Sequence, residues 1–103
     1  MLTRAAAIAY VQEFVATVRR NGVPVSKAVL FGSYARDEQH EWSDIDVALM
    51  GETFTGAGGL DVRQFGHLMW DYYLIEPHTF SPAYFEDGDA FTEEIKRTGI
   101  VVA

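Results

Sequence analysis

The run Phe31-Gly32-Ser33-Tyr34-Ala35-Arg36, followed after a polar stretch by Ser43-Asp44-Ile45-Asp46, decides how the rest of this 103-residue chain is read. Ala28 to Phe31 is a short apolar run closed by Gly32-Ser33, and it reads as a buried strand. Residues 34 to 43 are polar and charged and read as a turn or short helix plus loop. From Asp44 to Met50 the sequence alternates. Ile45, Val47 and Leu49 face one way, and Asp44, Asp46, Ala48 and Met50 face the other. Two carboxylates at i and i+2 of a strand point into the same space, and their repulsion is costly unless a cation lies between them. Hard oxygen ligands suit Mg²⁺, which takes one or two carboxylates and fills its shell with water and substrate phosphates. The Gly32-Ser33 turn offers backbone N–H groups and a hydroxyl to a phosphate, and glycine lets the backbone approach closely. An isolated Asp-x-Asp is usually a solvated strand face. The turn and the carboxylate strand together make the pattern specific.

Working outward, residues 4 to 20 carry an amphipathic stripe of Ile8, Val11, Val15 and Val18, flanked by Tyr10 and Phe14, which predicts a helix stopped by Asn21-Gly22. Residues 51 to 59 contain four glycines and read as a mobile loop. Val62, Phe65, Met69 and Tyr72 have helical spacing, weakened by Gly66. Tyr72 to Ile75 begins a third strand with Glu76 near its end, and Pro77 confines it to a sheet edge or strand end. Ser81-Pro82 and Asp89 are helix starts, Thr98-Gly99 is a stop, and Ile100 to Val102 is a last short strand. Helices and strands mix without strict alternation, which favours an α+β fold over a doubly wound sheet. The length suits a single domain over residues 1–103.

Composition removes whole classes of function. A hydrophobic content of 49% excludes disorder, and the absence of cysteine excludes disulfides and thiolate chemistry. The net charge of −7, with no basic run longer than Arg19-Arg20, argues against non-specific nucleic-acid binding. The N-terminus lacks a signal-peptide pattern, so a cytoplasmic location is expected.

Gly32-Ser33, ten residues and Asp44-Ile45-Asp46 together resemble the signature of the nucleotidyltransferase superfamily with a DNA polymerase β-like palm. The string from Phe31 to Arg36 and on to Asp46 is similar to that of its minimal members, the antitoxins paired with HEPN-domain toxins, and the chain's size also fits them. Asp37 is a departure, standing where the family often has Gly, and it bears on the turn after Arg36. The resemblance implies a palm-like α+β fold, with a small mixed sheet and helices packed mainly on one face. It implies that Gly32 and Ser33 hold a nucleoside triphosphate and that Asp44 and Asp46 bind Mg²⁺ with a third carboxylate from a neighbouring strand. Glu76 is the candidate for that third ligand, and Asp71, at the end of the predicted helix, is the fallback.

Arg36 beside the turn either pairs with phosphate or forms an ion pair with Asp37 or Glu38. Ser43 joins the candidate nucleotide-binding residues, although its ordinary role is to shape the turn into the strand. His78 shares strand parity with Glu76 and has a structural role as its default reading. His40 and His67 have no companion ligands in the sequence. Trp42, Trp70, Tyr72 and Tyr73 read as core, with an apolar partner surface as the alternative.

The implied reaction uses two Mg²⁺ ions roughly 4 Å apart and ATP, and moves AMP onto a hydroxyl. The resemblance suggests a tyrosine of a HEPN-type toxin as the acceptor. The alternatives are a non-catalytic antitoxin that neutralises its partner by occlusion, or a transferase acting on a small molecule or RNA.

Overall fold

The structure is a computed structural model that describes residues 1–103. Helix α1 spans Arg4–Arg20. It starts where the Thr3 side chain accepts a hydrogen bond from the Ala6 N–H, and Arg19 and Arg20 lie at its negative end. Gly22 follows with φ +88°. The helix buries Ala7, Val11, Phe14, Val15 and Val18. Full burial of such side chains contributes about 1.5–3 kcal/mol each.

The helix lies on a sheet of four strands: β1 (Val25–Phe31), β2 (Ile45–Gly51), β3 (Ile75–Phe80) and β4 (Ile100–Val101). Their order is β3-β2-β1-β4. β1 runs antiparallel to β2 and β4, and β3 runs parallel to β2, making the sheet mixed. Pro77 lies on the edge strand β3, as its missing donor requires. Between β2 and β3 come a short helix, α2 (Gly58–Val62), and a 3-10 helix at Gly66–Trp70. After β3 come α3 (Pro82–Asp87) and α4 (Ala90–Thr98). Ser81 caps α3, and a reciprocal Asp89–Thr92 pair caps α4.

The larger core lies on the α1 side, where Ala28, Leu30, Ile45, Val47 and Leu49 meet the helix together with Phe54, Phe65, Leu68 and Tyr72. A smaller cluster fills the other face, where Val29, Phe31, Ala48, Met50 and Phe80 pack with Phe85 of α3 and Ile95 of α4. The strand face that begins with a carboxylate at Asp46 thus becomes apolar and covered by Ala48 and Met50.

Helices cover both faces of the sheet rather than mainly one, because the apolar residues of β1 and β2 alternate to both sides. Three further expectations change. The helical spacing from Val62 to Tyr72 is broken into two short pieces with a turn at Arg63–Phe65. The third strand starts at Ile75, because Tyr72–Leu74 is still turning and the Ile75 N–H is taken by the Tyr72 carbonyl at 3.1 Å. Glu76 is therefore the second residue of β3 and not near its end. The glycine-rich stretch read as a mobile loop is tied down by Asp61. That carboxylate is 1% exposed and accepts hydrogen bonds from the Thr55 N–H and hydroxyl, the Gly56 N–H and the Thr79 hydroxyl on β3. Burial works to raise the Asp61 pKa, but these hydrogen bonds together outweigh it and hold the group below its ordinary value.

Candidate active site

Phe31 at the end of β1, Asp46 on β2 and Glu76 on β3 lie in one row across the sheet. Phe31 is the register partner of Asp46, and Asp46 is the register partner of Glu76. Side chains directly opposite on paired strands share a face, so the two carboxylates are brought together by pairing alone. Burial first, then the charge of Asp46 and a hydrogen bond with it, push the Glu76 pKa above its usual value. His78 opposes the shift and Asp44 adds to it. The expected candidate Glu76 thus stands beside Asp46. Asp71 follows the 3-10 helix, and its backbone carbonyl accepts from the Tyr10 hydroxyl.

Donor atoms of Asp46, Glu76 and His78 all lie within 4.8 Å of one another. Asp44, just before β2, is exposed and outside that group, but its charge is felt at Glu76. Two carboxylates with a third close by form a donor set that suits a hard divalent cation. His78 Nε2 faces Asp46 Oδ1 at 3.6 Å and is buried with no hydrogen-bond partner. An unpaired buried polar atom of this kind costs about 1–3 kcal/mol. The residues therefore fit a cation, which would relieve both the carboxylate repulsion and the orphaned nitrogen. The sequence makes His78 structural by default, its one signal being parity with Glu76, and the structure places it among the carboxylates. Phe91 of α4, which the sequence did not connect with the site, lies against His78 with ring centroids 5.9 Å apart.

β1 enters the site through Gly32, whose φ is +73°. A Cβ built there would run into Asp46 Oδ2 and sit 3.2 Å from Asp46 Cγ. The turn beyond closes with Arg36 N–H to Gly32 O at 3.2 Å and Glu38 N–H to Ser33 O at 2.8 Å. The N–H groups of Ser33, Tyr34 and Ala35 have no acceptor within the chain. Tyr34 and Ala35 are buried and anchor the turn, and Arg4 donates to the Ala35 carbonyl. Asp37 has φ +57°, a left-handed conformation that aspartate tolerates better than most residues.

Arg36 is exposed and pairs with Glu38 at 3.5 Å. The Ser43 hydroxyl accepts from the His40 N–H at 2.9 Å and shapes the turn into β2. His40 Nδ1 accepts from the Trp42 N–H, and His67 meets Asn21.

The aromatic residues divide. Tyr72 is buried against Phe14 and Tyr10. Trp42, Trp70 and Tyr73 are exposed, contrary to the core reading. The break in the helix before Gly66 turns Trp70 and Tyr73 outward, where they line a groove of about 440 Å³ with Gly66 and Met69.

Residues 11–98 match the protein family described as "Nucleotidyltransferase domain". No curated protein matches the sequence. Among solved structures, the chain is similar in fold to a "putative nucleotidyltransferase" from Sulfolobus solfataricus. The TM-score is 0.70 at 14% identity, and the match covers 95% of this chain and 80% of that one.

Proposed function

Because this chain belongs to the nucleotidyltransferase domain family, we propose that it transfers AMP from ATP to a hydroxyl, that the acceptor is a tyrosine of a HEPN-type toxin, and that the chain acts as the antitoxin. The observation that carries the transferase reading is the register pairing of Asp46 with Glu76 beside the Gly32 turn. The toxin acceptor rests on the resemblance of the Phe31–Asp46 string to minimal nucleotidyltransferases.

In this reading the N–H groups of Ser33, Tyr34 and Ala35 receive phosphate oxygens, as unpaired donors in a tight turn do. Gly32, lacking a side chain, lets the Asp46 carboxylate pack directly against the turn that receives those phosphates. Arg36 exchanges Glu38 for the triphosphate and offsets part of its charge. Asp46 and Glu76, with Asp44 beside them, hold Mg²⁺, which when bound offsets the charge on the α-phosphate and the leaving pyrophosphate. Glu76, beside Asp46, accepts the proton of the attacking hydroxyl. The new bond joins that oxygen to the α-phosphorus, and the bond to pyrophosphate breaks.

No helix is long and apolar enough to cross a membrane. The test is intact mass spectrometry of the protein encoded by the adjacent reading frame, after incubation with this chain, ATP and Mg²⁺. Additions of adenylate mass that vanish with Asp46→Asn support the proposal. A neutralised complex with no added mass replaces it with occlusion.

A further inference from the structure

Glu76 and His78 occupy alternate positions of β3 and face the same way as Asp46. The His78 ring is held by Phe31, at 5.1 Å between centroids, and by Phe91, so its Nε2 has a fixed aim. That atom is buried, has no hydrogen-bond partner and lies 3.6 Å from Asp46 Oδ1. The gap exceeds the ~3.2 Å limit of an ordinary N–H···O bond. It is close to the roughly 3.0–3.4 Å that separates neighbouring ligands of one ion with bonds near 2.1 Å.

We propose that His78 is a protein ligand of the cation held by Asp46 and Glu76, and that it gives the site a preference for Mn²⁺ over Mg²⁺. The proposal rests on the metal reading of those carboxylates. Mg²⁺ sheds water reluctantly and takes oxygen donors. Imidazole favours first-row transition ions, and among these Mn²⁺ is the one that shares with Mg²⁺ a preference for carboxylate oxygen. Carboxylates alone discriminate weakly between the two ions, so the imidazole sets the choice. The bound ion occupies the lone pair on Nε2, which has no other partner in the fold.

The experiment titrates the full chain with Mn²⁺ alone and with Mg²⁺ alone, by calorimetry and by loss of the free Mn²⁺ electron paramagnetic resonance signal. Wild type is expected to bind Mn²⁺ at least about tenfold more tightly than Mg²⁺. His78→Gln is expected to weaken Mn²⁺ about tenfold, a typical loss for a group that tunes a metal site, and to leave Mg²⁺ nearly unchanged. Pulsed resonance on wild type with Mn²⁺ bound is expected to show nitrogen coupling from a directly bound imidazole. That readout needs no variant and stands even if His78→Gln fails to fold. Absent nitrogen coupling, or equal loss of both ions in His78→Gln, overturns the proposal and makes His78 a charge partner of Asp46. Asp46→Asn separates the two levels. If it leaves both affinities intact, or if wild type binds neither ion, the metal reading itself falls.

Discussion

Gly32 and Asp46 lie so close that any side chain at position 32 would displace the Asp46 carboxylate. The space a Cβ would take is filled by the Asp46 carboxylate, and the φ of +73° is one that side chains disfavour. The Gly32 turn and the carboxylate are thus one mechanical unit. Gly32→Ala must move either the turn or Asp46. It is expected to destabilise the fold by about 1–3 kcal/mol, the combined cost of strain and overpacking. Nucleotidyl transfer is expected to fall at least about a hundredfold, since small misplacement near reacting atoms is that expensive. Thermal melts and transfer assays on the same preparation check both. Wild-type transfer in the variant would separate the turn from the chemistry.

Burial first, and then repulsion by Asp46, raise the Glu76 pKa. Asp46→Asn removes one charge while keeping the shape. Transfer is expected to be lost, and the Glu76 carboxyl, followed by NMR titration, to shift back toward its ordinary value. The melting temperature in chelator should stay level or rise, because a repulsion has been relieved. A fall of several degrees would show that the pair is held together by something other than strand pairing.

Asp61 sets an acid limit on stability. Its folded pKa is lowered, so its contribution is fully present above the ordinary carboxylate pKa and is lost as pH falls through the folded value. Asp61→Asn is expected to cost about 2–3 kcal/mol at neutral pH, the range for hydrogen bonds to a buried charge. The same variant should flatten the loss of stability below the ordinary carboxylate range. Denaturant melts at several pH values measure this, and parallel curves for the two proteins would contradict it.

Tyr72 and Trp70 are close in sequence but opposite in burial. Tyr72→Ala removes a ring packed edge-on against Phe14 and Tyr10 and is expected to cost about 3 kcal/mol or more. Trp70→Ser, at a residue 87% exposed, is expected to change stability by less than about 0.5 kcal/mol. Equal effects in denaturant melts would mean that the two rings share one environment.

Much of this arrangement was legible in the sequence. Helix α1 lies between the predicted bounds because its apolar stripe and its stop agree. The alternation of Ile45, Val47 and Leu49 located β2 and set the face of Asp46. Pro77 correctly marked an edge strand, because a missing donor has no other place in a sheet. The segment between β2 and β3 was not legible. Helical spacing at Val62, Phe65, Met69 and Tyr72 is equally served by two short turns that bury Phe65, Leu68 and Tyr72. Asp61 looked like any acidic residue, since its donors Thr55, Gly56 and Thr79 gather around it only through tertiary folding. His78 was similarly hidden. Parity told which way it points, but only the alignment of β3 against β2 told what it meets there.

The parallel pairing of β2 and β3 has a thermodynamic side. Asp46 and Glu76 are thirty residues apart in sequence and become neighbours only when the edge strand docks. An unfolded chain holds them apart, so a cation gripped by both is bound by the native state alone. Divalent ion and folding are then linked equilibria, and an ion at a hundred times its Kd adds about 2.7 kcal/mol to stability. For a domain this small that would be a large share of the total, and with an ion held by Asp46 and Glu76 the ion supply would help to decide how much of the chain is folded.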